Sequence, residues 1–94
     1  MCTSIVEVVR VEGAGKGEVG WFRVDRAVVS YDHPHHALLE EAITLDFVST
    51  TLGPGARVAV ELSLESAKHL SAALARAIAA AVTAESDRPH SAAT

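Results

Sequence analysis

AITLDFV (residues 42–48) and RVAVEL (residues 57–62) alternate apolar and polar residues, a pattern typical of strands with one buried face. The apolar positions are Ile43, Leu45 and Phe47 in the first segment and Val58, Val60 and Leu62 in the second. Between the segments lies Gly53-Pro54-Gly55, which favours a turn. We therefore predict two neighbouring antiparallel strands joined by a loop over residues 49–56.

Two further strands are predicted upstream of this pair. Residues 4–12 (SIVEVVRVE) and 21–31 (WFRVDRAVVSY) are rich in β-branched and aromatic residues. The glycines within residues 13–17 separate them, which predicts a hairpin with a glycine-rich turn. Glu7 and Arg26 interrupt the alternation of these strands, which indicates either a bulge or a polar pocket on the sheet.

A single helix follows the last strand. Ser63 is a typical N-cap residue, and the carboxylate of Glu65 suits the positive end of a helix dipole. Apolar residues then recur at helical spacing, at Ala67, Leu70, Leu74, Ile78 and Val82. We predict an α+β protein in which a four-stranded antiparallel sheet, in the order β-β-β-β-α, is covered on one face by the C-terminal helix.

Length and composition restrict the class of protein. The chain has 94 residues, so residues 1–85 are predicted to form one domain, and the polar residues 86–94 a disordered tail. A net charge of −4 argues against nucleic-acid binding. The apolar stretch of the helix is interrupted by Lys68, His69 and Arg76, which argues against a membrane span. One cysteine and no recognisable signal peptide favour the cytoplasm.

The predicted sheet has one face that the helix does not cover. Such a face must meet solvent, a ligand or a second copy of the chain. A domain this small often gains stability by association. We therefore expect a homodimer, and a small-molecule ligand on the sheet is a second use of the same face.

The densest chemical signal is Asp32-His33-Pro34-His35-His36. Imidazole is the commonest metal ligand in proteins, and a carboxylate can orient it. Pro34 biases His33 toward an extended backbone, in which His33 and His35 point to similar sides, whereas a turn after Pro34 would bring His33 and His36 together. Zinc, iron, copper or nickel could use two such histidines with further ligands. A solvated loop and metal-free acid–base chemistry remain alternatives.

Cys2 is the second candidate. If Met1 is removed, Cys2 offers a thiol beside a free amine; otherwise it is a small apolar residue at the start of a strand. The start of the first strand of an antiparallel hairpin lies opposite the end of the second. Cys2 could therefore meet His33 and His36 in one composite metal site, with Asp32 orienting the ligands.

Two other residues of the first hairpin have open roles. Glu7 becomes a general acid or base, as a partner of a histidine, if it faces the core or an interface, where burial would raise its pKa. On the open face it is only a solvated strand residue. Trp21 could anchor the core or an interface, or form a platform for a ligand.

Several motifs resemble one family. They are Met1-Cys2-Thr3, Gly15-Lys16-Gly17, Gly20-Trp21-Phe22-Arg23, Asp32-His33-Pro34 with His36-Ala37, Asp46-Phe47-Val48 and Gly53-Pro54 followed by residues 56–62. The chain resembles a family of small actinobacterial proteins catalogued as a domain of unknown function. The resemblance implies the pattern Asp-His-Pro-x-His, which places Asp32, His33 and His36 on its specified positions and His35 on the unspecified one. It implies no activity.

Three functions are consistent with these residues. The first is a metal-binding protein or small metalloenzyme with Cys2, His33 and His36 as ligands. The second is a metal-free enzyme, such as an isomerase or cyclase, in which His33 or His36 works with Glu7 or Asp32 on a small molecule. The third is a non-catalytic dimeric binding module. No organic cofactor is identified, and the identity of the metal stays open.

Overall fold

A computed structural model describes residues 5–34, 37, 38 and 40–88 of the chain. The elements are β1 (Ile5–Gly17), β2 (Gly20–Asp32), β3 (Ala42–Val48), β4 (Arg57–Leu62) and α1 (Leu64–Asp87). The chain divides after Leu64 into two compact units, the sheet and the helix.

The four strands form one antiparallel sheet in the order β1-β2-β3-β4, so the predicted α+β class with its β-β-β-β-α order is confirmed. β3 and β4 have the bounds that alternation predicted. Their inward positions pair directly across the strands, as Ile43↔Leu62, Leu45↔Val60 and Phe47↔Val58. Since directly paired residues share a face of a sheet, these six side chains lie on one side.

β1 and β2 extend this surface. The direct pairs Ile5↔Tyr31, Glu7↔Val29 and Val9↔Ala27 continue the rows of β3 and β4. We call the result the apolar face: Ile5, Glu7, Val9, Ala27, Val29, Tyr31, Ile43, Leu45, Phe47, Val58, Val60 and Leu62. Ala27 is buried on it, whereas Ile5 and Val9 are 56% and 48% exposed.

The first hairpin differs from the prediction. The glycine run of residues 13–17 was expected to form the turn, but β1 continues through it to Gly17, which pairs with Gly20. The turn is two residues long, Glu18-Val19, and Gly20 takes the left-handed conformation with φ 101°. The prediction of a glycine turn was therefore wrong, and both strands are 13 residues long.

The glycines serve close packing between β1 and the far edge of the sheet. A Cβ at Gly15 would lie 3.3 Å from a methyl group of Val58, and a Cβ at Gly17 only 2.9 Å from the carbonyl oxygen of Arg57. The backbone of β1 thus approaches β4, although the two strands are at opposite edges of the sheet. The sheet curls at this end, and only glycine permits the approach.

The predicted bulge is confirmed and lies in β1. Arg10 pairs with Arg26 and Gly13 with Val24, so that Val11 and Glu12 lie opposite the single residue Asp25. An extra residue shifts the alternation of a strand and increases its twist. The bulge changes the alternation of β1 after Arg10, whereas Glu7 lies in the regular part of the strand and is not explained by it.

The core lies inside the curled end. Phe22, Val24 and Ala56 form the buried cluster, and Val11, Phe47 and Val58 pack against it. Trp21, next to Phe22, is 70% exposed and therefore does not anchor the core. The buried residues are few and mostly small.

α1 begins directly after Ser63 and has Glu65 in its first turn, as predicted. Its apolar stripe is exposed at Leu70, Leu74, Ile78 and Val82, by 48% to 60%. Among the residues that the structure describes, no helix combines the length and the apolar character needed to span a membrane. The helix ends at Asp87, two residues past the predicted end of the domain at residue 85, and residues 89–94 lie outside the described ranges.

Candidate functional site

The candidate site lies at the end of the sheet opposite the curled core. Ile5 pairs with Tyr31, and Tyr31 pairs with Ile43. The start of β1 therefore lies beside the end of β2, as the hairpin topology predicted. The connection from β2 to β3, which carries the histidines, leaves the sheet from this same end.

His33 is held by contacts to its backbone and to its ring. Oδ1 of Asp32 accepts a hydrogen bond from the backbone N–H of His33 at 2.7 Å. Nδ1 of His33 lies 3.1 Å from the carbonyl oxygen of Glu40, to which it donates. Oε1 of Glu41 lies 3.4 Å from the same nitrogen. The imidazole is thus oriented even though the side chain is 57% exposed.

These contacts also act on the proton affinity of His33. The hydrogen bond to the Glu40 carbonyl, followed by the negative charge of Glu41 and a smaller effect of Asp32, raises the pKa of His33 above its ordinary value. Partial desolvation opposes this effect. Both main contacts favour the imidazole with a proton on Nδ1.

The connection between β2 and β3 also forms a hydrogen bond with β4, an edge strand of the sheet. The backbone N–H of Ala37 donates to Oε1 of Glu61 at 2.8 Å, and Glu61 belongs to β4. A glutamate on β4 thereby fixes the segment after the histidines relative to the strand pair. Sequence patterns do not indicate the roles of Glu40, Glu41 and Glu61, because Glu40 acts through its carbonyl and the other two through contacts that depend on the fold.

Glu7 lies on the same half of the sheet but in a different setting. It is exposed on the apolar face opposite Val29, and its side chain makes no hydrogen bond or ion pair with the residues that the structure describes. It borders an open cavity of about 310 Å³, whose walls are otherwise almost entirely apolar. The walls are Ile5, Val29, Ser30, Tyr31, Ile43 and Leu64. The structure thus brings Asp32 to His33 and Glu7 to this cavity.

The predicted metal ligands lie largely outside the described residues. Cys2 and His36, as well as His35, lie outside the described residues, so His33 is the one proposed ligand that the structure describes. Within residues 5–34, 37, 38 and 40–88, no group of three or more His, Cys, Asp or Glu side chains is arranged to hold a metal ion. A metal at this end of the sheet would therefore need ligands from the segments that are not described.

Fold and site together define a small α+β protein with a histidine-bearing connection at one end of a curled four-stranded sheet. The chain belongs to the family of unknown function DUF6295, which matches residues 1–87. The resemblance to a domain of unknown function is therefore confirmed. No curated protein and no solved structure matches the chain.

Proposed function

We propose that the protein binds a transition-metal ion, with His33, His36 and Cys2 as ligands. The observation that supports this is the orientation of His33. Its Nδ1 donates to the Glu40 carbonyl and lies 3.4 Å from a carboxylate oxygen of Glu41. Histidines that ligate metals through one ring nitrogen commonly hold the other nitrogen in this way, which fixes the tautomer and the ring plane.

The register of the first hairpin supports Cys2 as a partner of His33. Ile5 lies directly opposite Tyr31, and Cys2 precedes Ile5 by only three residues while His33 follows Tyr31 by two. A stretch of three residues reaches at most about 11 Å, which is within the range that a shared metal site requires. The thiolate, two imidazoles and an open fourth position suit zinc or iron, and copper accepts the same ligands.

A metal with an open coordination position would give the protein a reaction to perform. The group could polarise a carbonyl or lower the pKa of a bound water, and the apolar cavity beside Tyr31 could admit a small molecule. In this proposal Asp32 fixes the backbone of His33, and Glu41 fixes its ring. The proposal includes a cytoplasmic location, because a reducing compartment keeps Cys2 as a thiol.

Elemental analysis of untagged protein, purified without chelator, tests the proposal. We expect near-stoichiometric metal in the natural sequence and its loss in His33→Ala, His36→Ala and Cys2→Ser. His69→Ala is the matched control, because His69 is an exposed histidine whose Nε2 lies 3.5 Å from a glutamate oxygen, a setting close to that of His33. If no preparation holds metal after incubation with zinc, iron and copper, the proposal is wrong.

Metal-free acid–base catalysis is the second candidate, and the raised pKa of His33 favours it. A histidine whose pKa lies near the working pH exchanges protons efficiently with a bound molecule. In this reading Glu7, at the rim of the apolar cavity, or Asp32 is its partner. A bell-shaped pH profile that chelators leave unchanged would separate this candidate from the metal proposal.

We expect a homodimer with either candidate function. The third candidate function, a non-catalytic dimeric binding module, depends on it. The face of the sheet opposite the apolar face keeps large exposed side chains, with Val6 at 58% and Val8 at 63%. A second copy of the chain could bury them. Light scattering after gel filtration measures the mass. A mass near 20 kDa, twice the 9.8 kDa of the chain, supports a dimer, and the mass of one chain contradicts it.

A further inference from the structure

A second cleft lies at the bulge between β1 and β2, away from the histidine connection. Its volume is about 510 Å³, and polar and charged side chains line most of it. The lining residues are Arg10, Val11, Glu12, Arg23, Asp25 and Arg26. Three of the eight basic residues of a chain with net charge −4 are thus gathered around one opening.

Two of these arginines lie directly opposite each other on neighbouring strands. Arg10 and Arg26 pair directly across β1 and β2. Like charges directly opposite each other destabilise a sheet. The guanidinium groups of Arg10 and Arg23 make no hydrogen bond or ion pair with any residue in the described part of the chain.

Asp25, one of the two acids that line the cleft, also binds the loop between β3 and β4. Both oxygens of Asp25 accept hydrogen bonds from Thr50, Oδ1 from the backbone N–H at 3.0 Å and Oδ2 from the hydroxyl at 2.5 Å. Arg26 donates to the carbonyl of Asp25 at 2.9 Å, and its guanidinium is 4.0 Å from the carboxylate. Asp25 and Glu12 together offset two of the three arginine charges, so the lining of the cleft keeps one net positive charge.

The bulge is the reason that these side chains share one opening. Val11 and Glu12 lie opposite the single residue Asp25, so β1 bends here and its side chains are re-aimed. Bulges of this kind are common beside functional sites. The bend leaves an apolar wall at Val11 next to the guanidinium groups, which suits a ligand that has both an organic part and an anionic group.

We propose that this cleft binds a small organic phosphate, with Arg10, Arg23 and Arg26 contacting the phosphate and Val11 the organic part. Guanidinium groups form bidentate hydrogen bonds with phosphate oxygens. The volume exceeds what a bare phosphate ion fills. The negative charge of the rest of the chain disfavours a long polyanion, so the site favours a small one.

Titration of the ¹⁵N-labelled protein with pyrophosphate tests the site, with sodium chloride at matched ionic strength as the reference. We expect pyrophosphate to cause saturable chemical-shift changes of the amides of residues 10–12 and 23–26, and sodium chloride to cause none. Arg10→Gln and Arg23→Gln should each weaken binding about tenfold or more, because each removes charge-assisted hydrogen bonds. Arg76→Gln on α1 is the control and should leave binding unchanged.

Glu12→Gln provides an opposite test, since removal of a negative charge from the cleft should tighten binding. Circular dichroism of each variant verifies that it is folded. Shifts that chloride reproduces, or affinities that neither arginine variant lowers, would overturn the proposal. His33→Ala, which removes the proposed metal ligand, should keep its pyrophosphate affinity, so the fate of the metal proposal does not decide this one.

Discussion

Asp25 on β2 binds Thr50 in the loop between β3 and β4 through both of its carboxylate oxygens. The two residues are 25 positions apart in sequence. The loop is further closed by a hydrogen bond from the backbone N–H of Ala56 to the carbonyl of Gly53 at 3.1 Å. Asp25 thus anchors the loop that carries the buried Ala56 into the core.

Removal of the Thr50 hydroxyl should alter the titration of Asp25. The hydrogen bonds from Thr50 lower the pKa of Asp25, and the side-chain bond is the larger cause. Such a group stabilises the fold above its unfolded pKa, and this contribution is lost as the pH falls through its lower, folded value. Thr50→Ala should raise the pKa of Asp25 and reduce this acid dependence, as measured by carboxyl ¹³C NMR.

Thr51→Ala is the matched control for this experiment. The hydroxyl of Thr51 lies 3.3 Å from that of Ser49 and makes no contact with Asp25. An unchanged pKa of Asp25 in the Thr50 variant would show that the hydrogen bond does not control the carboxylate.

The side chain of Glu41 should control the titration of His33. Glu41→Gln removes a charge 3.4 Å from Nδ1 and should lower the pKa of His33, as followed by the imidazole NMR signals. The raised pKa contributes stability fully below the unfolded value of about 6.5, and this contribution is lost as the pH rises through the folded value. Glu41→Gln should therefore reduce the loss of stability in that range.

Glu40→Gln tests whether Glu40 acts on the pKa of His33 through its backbone carbonyl or through its side chain. Glu40 acts on His33 through its carbonyl oxygen, which the substitution retains. The pKa of His33 should therefore stay where it is in this variant. A drop as large as that of Glu41→Gln would contradict the assigned contacts.

The glycine approach between β1 and β4 should be sensitive to a single methyl group. Gly17→Ala would place its Cβ 2.9 Å from the carbonyl oxygen of Arg57 and 3.1 Å from the ring of Phe22. We expect a loss of about 1–3 kcal/mol in the free energy of unfolding, because backbone must move to relieve the overlap. Urea denaturation measures it.

Gly55→Ala is the control for this loss. A Cβ at Gly55 would meet no atom within 4 Å. The change should be neutral or should stabilise the protein by about 0.4–1 kcal/mol through the unfolded state. Equal stability of the two variants would mean that β1 does not pack on β4 as described.

The adjacent aromatics of β2 should differ sharply in their effect on stability. Phe22 is 8% exposed and belongs to the core, whereas Trp21 is 70% exposed. Phe22→Ala should destabilise the protein by about 3–5 kcal/mol, a large part of the total for a small domain. Trp21→Ala should cost under about 1 kcal/mol. Thermal unfolding of the two variants, followed by circular dichroism, compares them.

Local patterns predicted the later half of the sheet well and the earlier half only in part. β3 and β4 alternate cleanly because one side of each strand meets the same face, so their bounds were predicted correctly. In β1 the residues Gly13, Gly15 and Gly17 resemble a turn, but Gly15 and Gly17 are required by the approach of β4, which lies about 40 residues later in the chain. No local pattern encodes such a contact.

The position of the candidate site in the fold could be predicted from the sequence, but the residues that contact His33 could not. Hairpin topology was enough to put the start of β1 beside the end of β2, and the register Ile5↔Tyr31 confirms it. The contacts that orient His33 come from the carbonyl of Glu40 and the side chain of Glu41. Their positions depend on how the connection folds back, which residue types alone do not indicate.

The curl of the sheet also determines which part of the β1 edge is open to pairing with another molecule. At its glycine end β1 is covered by the approach of β4, whereas the half from Ile5 to Arg10 is an edge with no further strand beside it among the described residues. That half reads IVEVVR, a valine-rich segment of the kind that adds to its own copies in aggregates. Glu7 and Arg10 interrupt it with charge and so protect the protein against edge-to-edge aggregation.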